Sequence, residues 1–200
     1  VPFIHDFSTE FFQCKVPGKV YETPSKSNQR QFFSPELTNG TFYTMKMIST
    51  YGIINGKSKF DYLSKMDSLL FENIPGKIIS KKEITKNGFE GLDILNKTKT
   101  GDHQRYQIFV TPLNILIFKM GGKHDFVLTE GDKFFNSIQL TAVSEKWQMI
   151  SPLKKGFEVK VPSYYHIKGN TKATSMYLHP EIEAYDPKTN SCFLVKRASL

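Results

Sequence analysis

The apolar residues in the middle of the chain fall into short runs cut by turn residues, a rhythm that predicts strands at 77–85, 89–96, 102–111 and 115–121. In the third of these, period-two alternation sets Tyr106 and Ile108 on one face and Arg105, Gln107 and Phe109 on the other. The joints are Asn87-Gly88, the polar stretch 97–101 and Pro112-Leu113-Asn114. A parallel crossover needs about a dozen residues or more, so these neighbours should be antiparallel. Three further strands are expected before them: 11–16, stopped by Pro17-Gly18; 31–34, ended by Pro35; and 41–51, entered from the Asn39-Gly40 turn.

Two stretches change period. Phe60, Leu63, Met66, Leu69 and Leu70 recur at helical spacing with Lys59, Lys65, Asp67 and Glu72 between them, and Asn73, Pro75 and Gly76 close the run, predicting a helix near 58–73. A second helix is expected near 129–140, with Thr129 as its cap and Phe134, Phe135 and Ile138 as its apolar content. The order β-β-β-α-β-β-β-β-α gives an α+β class: a central antiparallel β-sheet flanked by helices.

Within that frame three phrases stand out. Phe12-Gln13-Cys14-Lys15-Val16-Pro17-Gly18 resembles the F-x-V-x-x-P-G opening of PsbP/Mog-like domains, with Cys14 in place of Val. Ile84-Thr85-Lys86-Asn87-Gly88-Phe89-Glu90-Gly91 is similar to their I-x-x-N-G-Y-x-G hairpin, and Phe134-Phe135-Asn136-Ser137-Ile138-Gln139-Leu140 to their closing F-F-x-S-F-x-L segment, with Phe89 and Ile138 as departures. The resemblance spans roughly residues 8–142 and implies a central antiparallel sheet with helices packed on it. It brings no active-site residues with it.

After Leu140 the pattern restarts. Phe157-Glu158-Val159-Lys160-Val161-Pro162 matches Phe12-Gln13-Cys14-Lys15-Val16-Pro17, and the segment 193–199 matches 43–49, each following a Thr-Asn pair (Thr189-Asn190, Thr38-Asn39). The expectation is a complete domain over 1–143 and a partial second copy, first strands only, over 147–200. A partial sheet leaves one face uncovered, so Phe157, Val159, Val161, Phe193 and Val195 should pack on the first domain or on a neighbouring chain, with Trp147 buried at the junction.

Charge adds little. The 27 basic residues against 19 acidic comprise 24 Lys and only 3 Arg, whereas base and phosphate readers lean on Arg. Nucleic acid is therefore the alternative partner, behind a protein partner or a homodimer through the incomplete second unit. No apolar run is long enough to cross a membrane as a helix.

Candidate chemistry is sparse. His5, His103, His124, His166 and His179 lack a second ligand at helical or hairpin spacing, so no metal site is expected; His124-Asp125 beside Gly121-Gly122 reads as an exposed turn. There is no nucleophile elbow, P-loop or dinucleotide fingerprint, hence no expected catalytic residue or cofactor. Cys14 and Cys192 read as buried thiols, a single bridge between them being the alternative. Tyr164, Tyr165 and Lys168 follow a strand-ending proline and, set on a loop, form the candidate binding group. These readings point to a non-catalytic binding or scaffolding module, one unit of a longer duplicated protein of the periplasm, cell envelope or exterior.

Overall fold

The computed structural model describes residues 2–25, 28–50, 63, 76–151, 157–167 and 182–196. Its strands are β1 (His5–Ser8), β2 (Phe12–Val16), β3 (Tyr21–Thr23), β4 (Gln29–Glu36), β5 (Thr41–Ser49), β6 (Gly76–Lys86), β7 (Phe89–Thr98), β8 (His103–Val110) and β9 (Asn114–Gly122). Helix α1 (His124–Ser137) follows, then β10 (Gln139–Leu140), β11 (Trp147–Ile150), β12 (Val159–Pro162), β13 (Tyr164–Ile167), β14 (Ile182–Asp186) and β15 (Ser191–Val195).

Seven strands form an antiparallel sheet in the order β3-β4-β5-β9-β8-β7-β6. The four central strands arise as the sequence predicts, since Asn87 and Gly88 take positive φ at the β6–β7 turn and the other links are equally short. Pairing of β5 with β9 sets Met45 opposite Phe118 and Met47 opposite Leu116. Those side chains share one face with Tyr43, Phe109 and Met120, and form the main core with Phe134 and Phe135 of α1. Tyr106, Ile108, Ile115 and Ile117 face the other way and build a second core with Leu92, Ile94 and Leu63.

The differences from expectation have physical causes. β2 leaves the large sheet and pairs with β1 and β10 in a separate three-stranded sheet, laying Phe12, Cys14 and Val16 onto the main core. Helix α1 begins at His124, not near Thr129. Thr129 does not cap it: its hydroxyl donates to the Asp125 carbonyl, 2.7 Å away, inside the helix. The helix predicted near 58–73 lies outside the described residues except for Leu63, which is helical and buried. One helix is thus described beside the sheets, and the flanking pair is not.

β13-β14-β15 form a third sheet and β11-β12 a ribbon. Alternation along β13–β15 gives the small sheet two dressed faces. Tyr164, Tyr185 and Cys192 join the main core, while Tyr165, Ile167, Ile182, Ala184 and Val195 pack with Ile150, Phe157, Val159 and Val161. Trp147 is not buried: it is 40% exposed, and Phe193 38%.

Candidate functional site

The predicted binding group is divided by its own strand. Tyr164 and Tyr165 open β13 instead of lying on a loop, so successive side chains leave on opposite faces. Tyr164 is 2% exposed and rests on Phe11 at 5.4 Å between centroids; burial pushes its phenol well above the usual tyrosine range. Tyr165 stands across from Ala184, which stands across from Phe193. Cross-strand neighbours share a face, so Tyr165 and Phe193 flank one buried alanine in the smaller core. Lys168 lies outside the described residues.

What the tyrosines do not supply, β11 and β15 do. Trp147 and Met149 are two apart on β11 and therefore project on the same side, with Lys160 of β12 opposite Met149. Trp147 meets Phe193 edge-on at 5.6 Å. Met149 is 59% exposed and Leu194, next along the outermost strand of its sheet, 45%. Sequence reasoning assigned Trp147 and Phe193 to contacts between halves; the sole signal against that was Lys160, a charge that fixes one side of the ribbon as the wet one.

The remaining polar groups hold elements together. Arg105 on β8 grips Asp93 through Nε (3.0 Å) and Nη2 (2.7 Å) and reaches Asp132 of α1 with Nη1 (2.6 Å), its guanidinium 4.8 Å from the centre of the Phe135 ring. Gly131 lies beneath this arginine, where a methyl would make only ordinary van der Waals contact with Nη1, at 3.5 Å. Lys86 donates to the Phe135 carbonyl near the end of the helix. Glu10 pairs with His166 of β13 and, at 3.6 Å, with Arg30, which also holds Glu22 at 2.9 Å. Burial raises the Glu10 pKa, but the His166 hydrogen bond and charge, with Arg30, bring it below the usual carboxylate value. Ser49 donates to Glu183 at 2.8 Å, tying β5 to β14.

Such pairs tie one element to another. Cys14 is a buried thiol whose pKa burial pushes up to about 12, the inert state, and no disulfide joins it to Cys192. An open cavity of about 240 Å³ is lined by Leu63, Glu83, Ile84, Thr85, Glu90 and Gly91, with neither histidine nor cysteine among the described residues that line it. Among the described residues no three His, Cys, Asp or Glu side chains converge on a point where a metal ion would sit, and no helix is long and apolar enough to cross a membrane. One juxtaposition escaped the sequence reading: His124 opens α1 with its ring 4.1 Å from that of His103, 21 positions earlier.

No protein-family model matches the chain, and no curated protein matches it. Solved structures do. LpqN of Mycobacterium tuberculosis, described as involved in cell envelope biogenesis, is 14% identical, with a TM-score of 0.44 over 65% of this chain and 83% of that one. Cyanobacterial PsbP from Synechocystis is 8% identical, with a TM-score of 0.49 over 68% of this chain and 92% of that one.

Proposed function

We propose that the chain is a non-catalytic binding or scaffolding module whose contact surface is the outer side of β11 and β15, and whose partner is a protein. The observation that carries this is the Trp147–Phe193 pair, left 40% and 38% exposed, with exposed Met149 on the same side of β11 as Trp147. A tryptophan, a methionine and a phenylalanine on one wet surface add apolar exposure that a lone monomer gains nothing from, and such side chains are the ones enriched at the centres of protein interfaces.

We also propose that residues 147–200 are a partial second copy of the first strands. Two features support the reading. A two-strand ribbon (β11-β12) precedes a three-strand meander (β13-β14-β15), as the β1-β2 ribbon precedes β3-β4-β5. The turn into the last strand is built alike: Glu36 accepts from the Thr38 amide at 3.0 Å before β5, and Asp186 accepts from the Lys188 amide at 3.1 Å before β15. The setting proposed is the cell envelope or exterior.

The test places a photo-crosslinking amino acid at Lys160, across from Met149 and on its side of the ribbon, in the chain expressed in its source organism. A discrete cross-linked protein, lost in Met149→Glu and Phe193→Glu, is expected. A product whose mass is twice that of the chain identifies the homodimer. Cross-linking unchanged by both substitutions removes the reading. The alternative, a binder of nucleic acid or anionic surfaces suggested by the +8 charge, requires retention on heparin that falls steeply with salt.

A further inference from the structure

β3 and β6 are the outer strands of the seven-stranded sheet, and both are guarded. β3 is three residues long; β6 carries Lys77, Lys81, Lys82 and Lys86, and its register shifts between Ile78 and Ser80. Shortness, lysine and a bulge are devices that keep a sheet edge from recruiting another strand. β15 has none of them. Its five residues, Ser191 to Val195, hold no charge and no proline and pair with β14 in unbroken register. Among the described residues no strand lies on its other side. Phe193 and Leu194 leave it on opposite faces, 38% and 45% exposed.

The match of 193–199 to 43–49 sets Phe193 where Tyr43 stands and Val195 where Met45 stands. β5 is paired on both sides, by β4 and by β9. Tyr43 is 1% exposed, with Met120 of β9 across from it and the Phe134 ring of α1 5.1 Å away. Phe193 has Ala184 across from it on β14 and lacks the second cover among the described residues. We propose that β15 takes an antiparallel strand from the partner protein along its outer edge, in the register that β9 takes on β5. The inference rests on the binding-module reading and on the partial second copy. That register states the chemistry of the added strand. Positions facing Phe193 and Val195 correspond to Met120 and Phe118, and the one between, facing Leu194, to Lys119. The fitting segment is therefore extended, with two large apolar side chains flanking a polar or basic one. Its backbone supplies the hydrogen bonds, and its apolar pair covers Phe193 and extends the smaller core, against which Val195 already packs.

The experiment adds a peptide of the β9 sequence, residues 114–122 with a lysine tail for solubility, to the full chain and follows amide hydrogen exchange. Exchange over 191–195 should slow about tenfold or more, with β6 unchanged and a scrambled peptide without effect. The register has its own readout. A peptide carrying Gly121→Cys, activated as a mixed disulfide, should couple to Cys192, the residue matching Phe42, which Gly121 faces on β5; one carrying Ile115→Cys should not. Unchanged exchange over 191–195, slowing confined to β6, or coupling from Ile115→Cys alone overturns the proposal. Cross-linking from Lys160 decides the reading beneath it separately: a protein captured there while exchange stays unchanged keeps the binding module and removes the added strand.

Discussion

Tyr164 covers Phe11 and Phe89 at once, with ring centroids 5.4 Å and 6.3 Å away, so a residue of the late strands closes the core of the early ones. Replacing Tyr164 by alanine should cost about 3–5 kcal/mol, the range for deleting a buried aromatic ring. Tyr164→Phe should cost far less, because the buried hydroxyl has no hydrogen-bond partner among the described residues. Urea unfolding of the two variants separates ring packing from the polar tip.

Arg105 offers a contrast of magnitudes within one side chain. Its Asp93 partner is 14% exposed and its Asp132 partner 68%. Arg105→Leu strands a largely buried carboxylate with Gln107 as its remaining donor, at 2.8 Å, and should destabilise by about 2–4 kcal/mol. Asp132→Asn breaks a pair that water screens and should cost about 1 kcal/mol or less. Equal losses from both would show that the helix contact, not Asp93, is what the arginine secures.

The Glu10 carboxyl sits below its ordinary pKa of 4.5 in the folded chain. A depressed carboxylate adds stability above the unfolded-state pKa and loses it as pH falls through the folded one. Unfolding free energy should therefore drop as pH falls below about 4.5, and Glu10→Gln should flatten that part of the profile. An unchanged slope in Glu10→Gln would assign acid sensitivity to other carboxylates.

The hairpin phrase ending in Gly91 carries two glycines with different duties. Gly88 has φ +84° and open space around it, so alanine there meets only backbone strain, about 1 kcal/mol. A methyl at Gly91 would lie 2.3 Å from the Ile108 carbonyl oxygen and 2.6 Å from the Phe109 ring. Backbone cannot yield as a side-chain tip does, so Gly91→Ala should cost about 3 kcal/mol, at or above the usual range for overpacking. Thermal melts of the pair give the order directly.

Strand positions were legible where turn chemistry and alternation agreed, as at Asn87-Gly88 and along β8. They were not legible where tertiary contacts overrode the pattern. Phe126 and Leu128 are 36% and 45% exposed on either side of buried Val127, which hides the helical period of the first turn of α1 and explains its late predicted start. β2 reads as a sheet strand by every local signal, yet its partners are β1 and the two-residue β10, a choice made by long-range packing. For the candidate site, aromatic composition pointed to Tyr164-Tyr165, but the face each residue takes depends on register, and register sends Tyr164 into the core. Trp147 and Phe193 carry the reverse lesson, since large apolar residues read as core from sequence alone.

The last prediction concerns a chain ending at Val143. Among the described residues no strand after that point pairs within the seven-stranded sheet, so its hydrogen bonding should survive the cut, and far-UV circular dichroism should report a folded β protein. Its stability should not survive intact. Phe11 and Phe89, 1% and 5% exposed in the full chain, lose Tyr164, and Glu10 loses His166. Each large apolar side chain returned to water forfeits about 1.5–3 kcal/mol, and the removed strands shield part of two, so a loss of about 2–5 kcal/mol is expected. Against the 5–15 kcal/mol by which a domain is ordinarily stable, that leaves a folded but weakened unit. Urea midpoints of the short and full chains decide it. Equal midpoints would mean that the late strands dock without sharing the core. Outright unfolding would mean that the large sheet depends on them, and the division of the chain near residue 143 would then be abandoned.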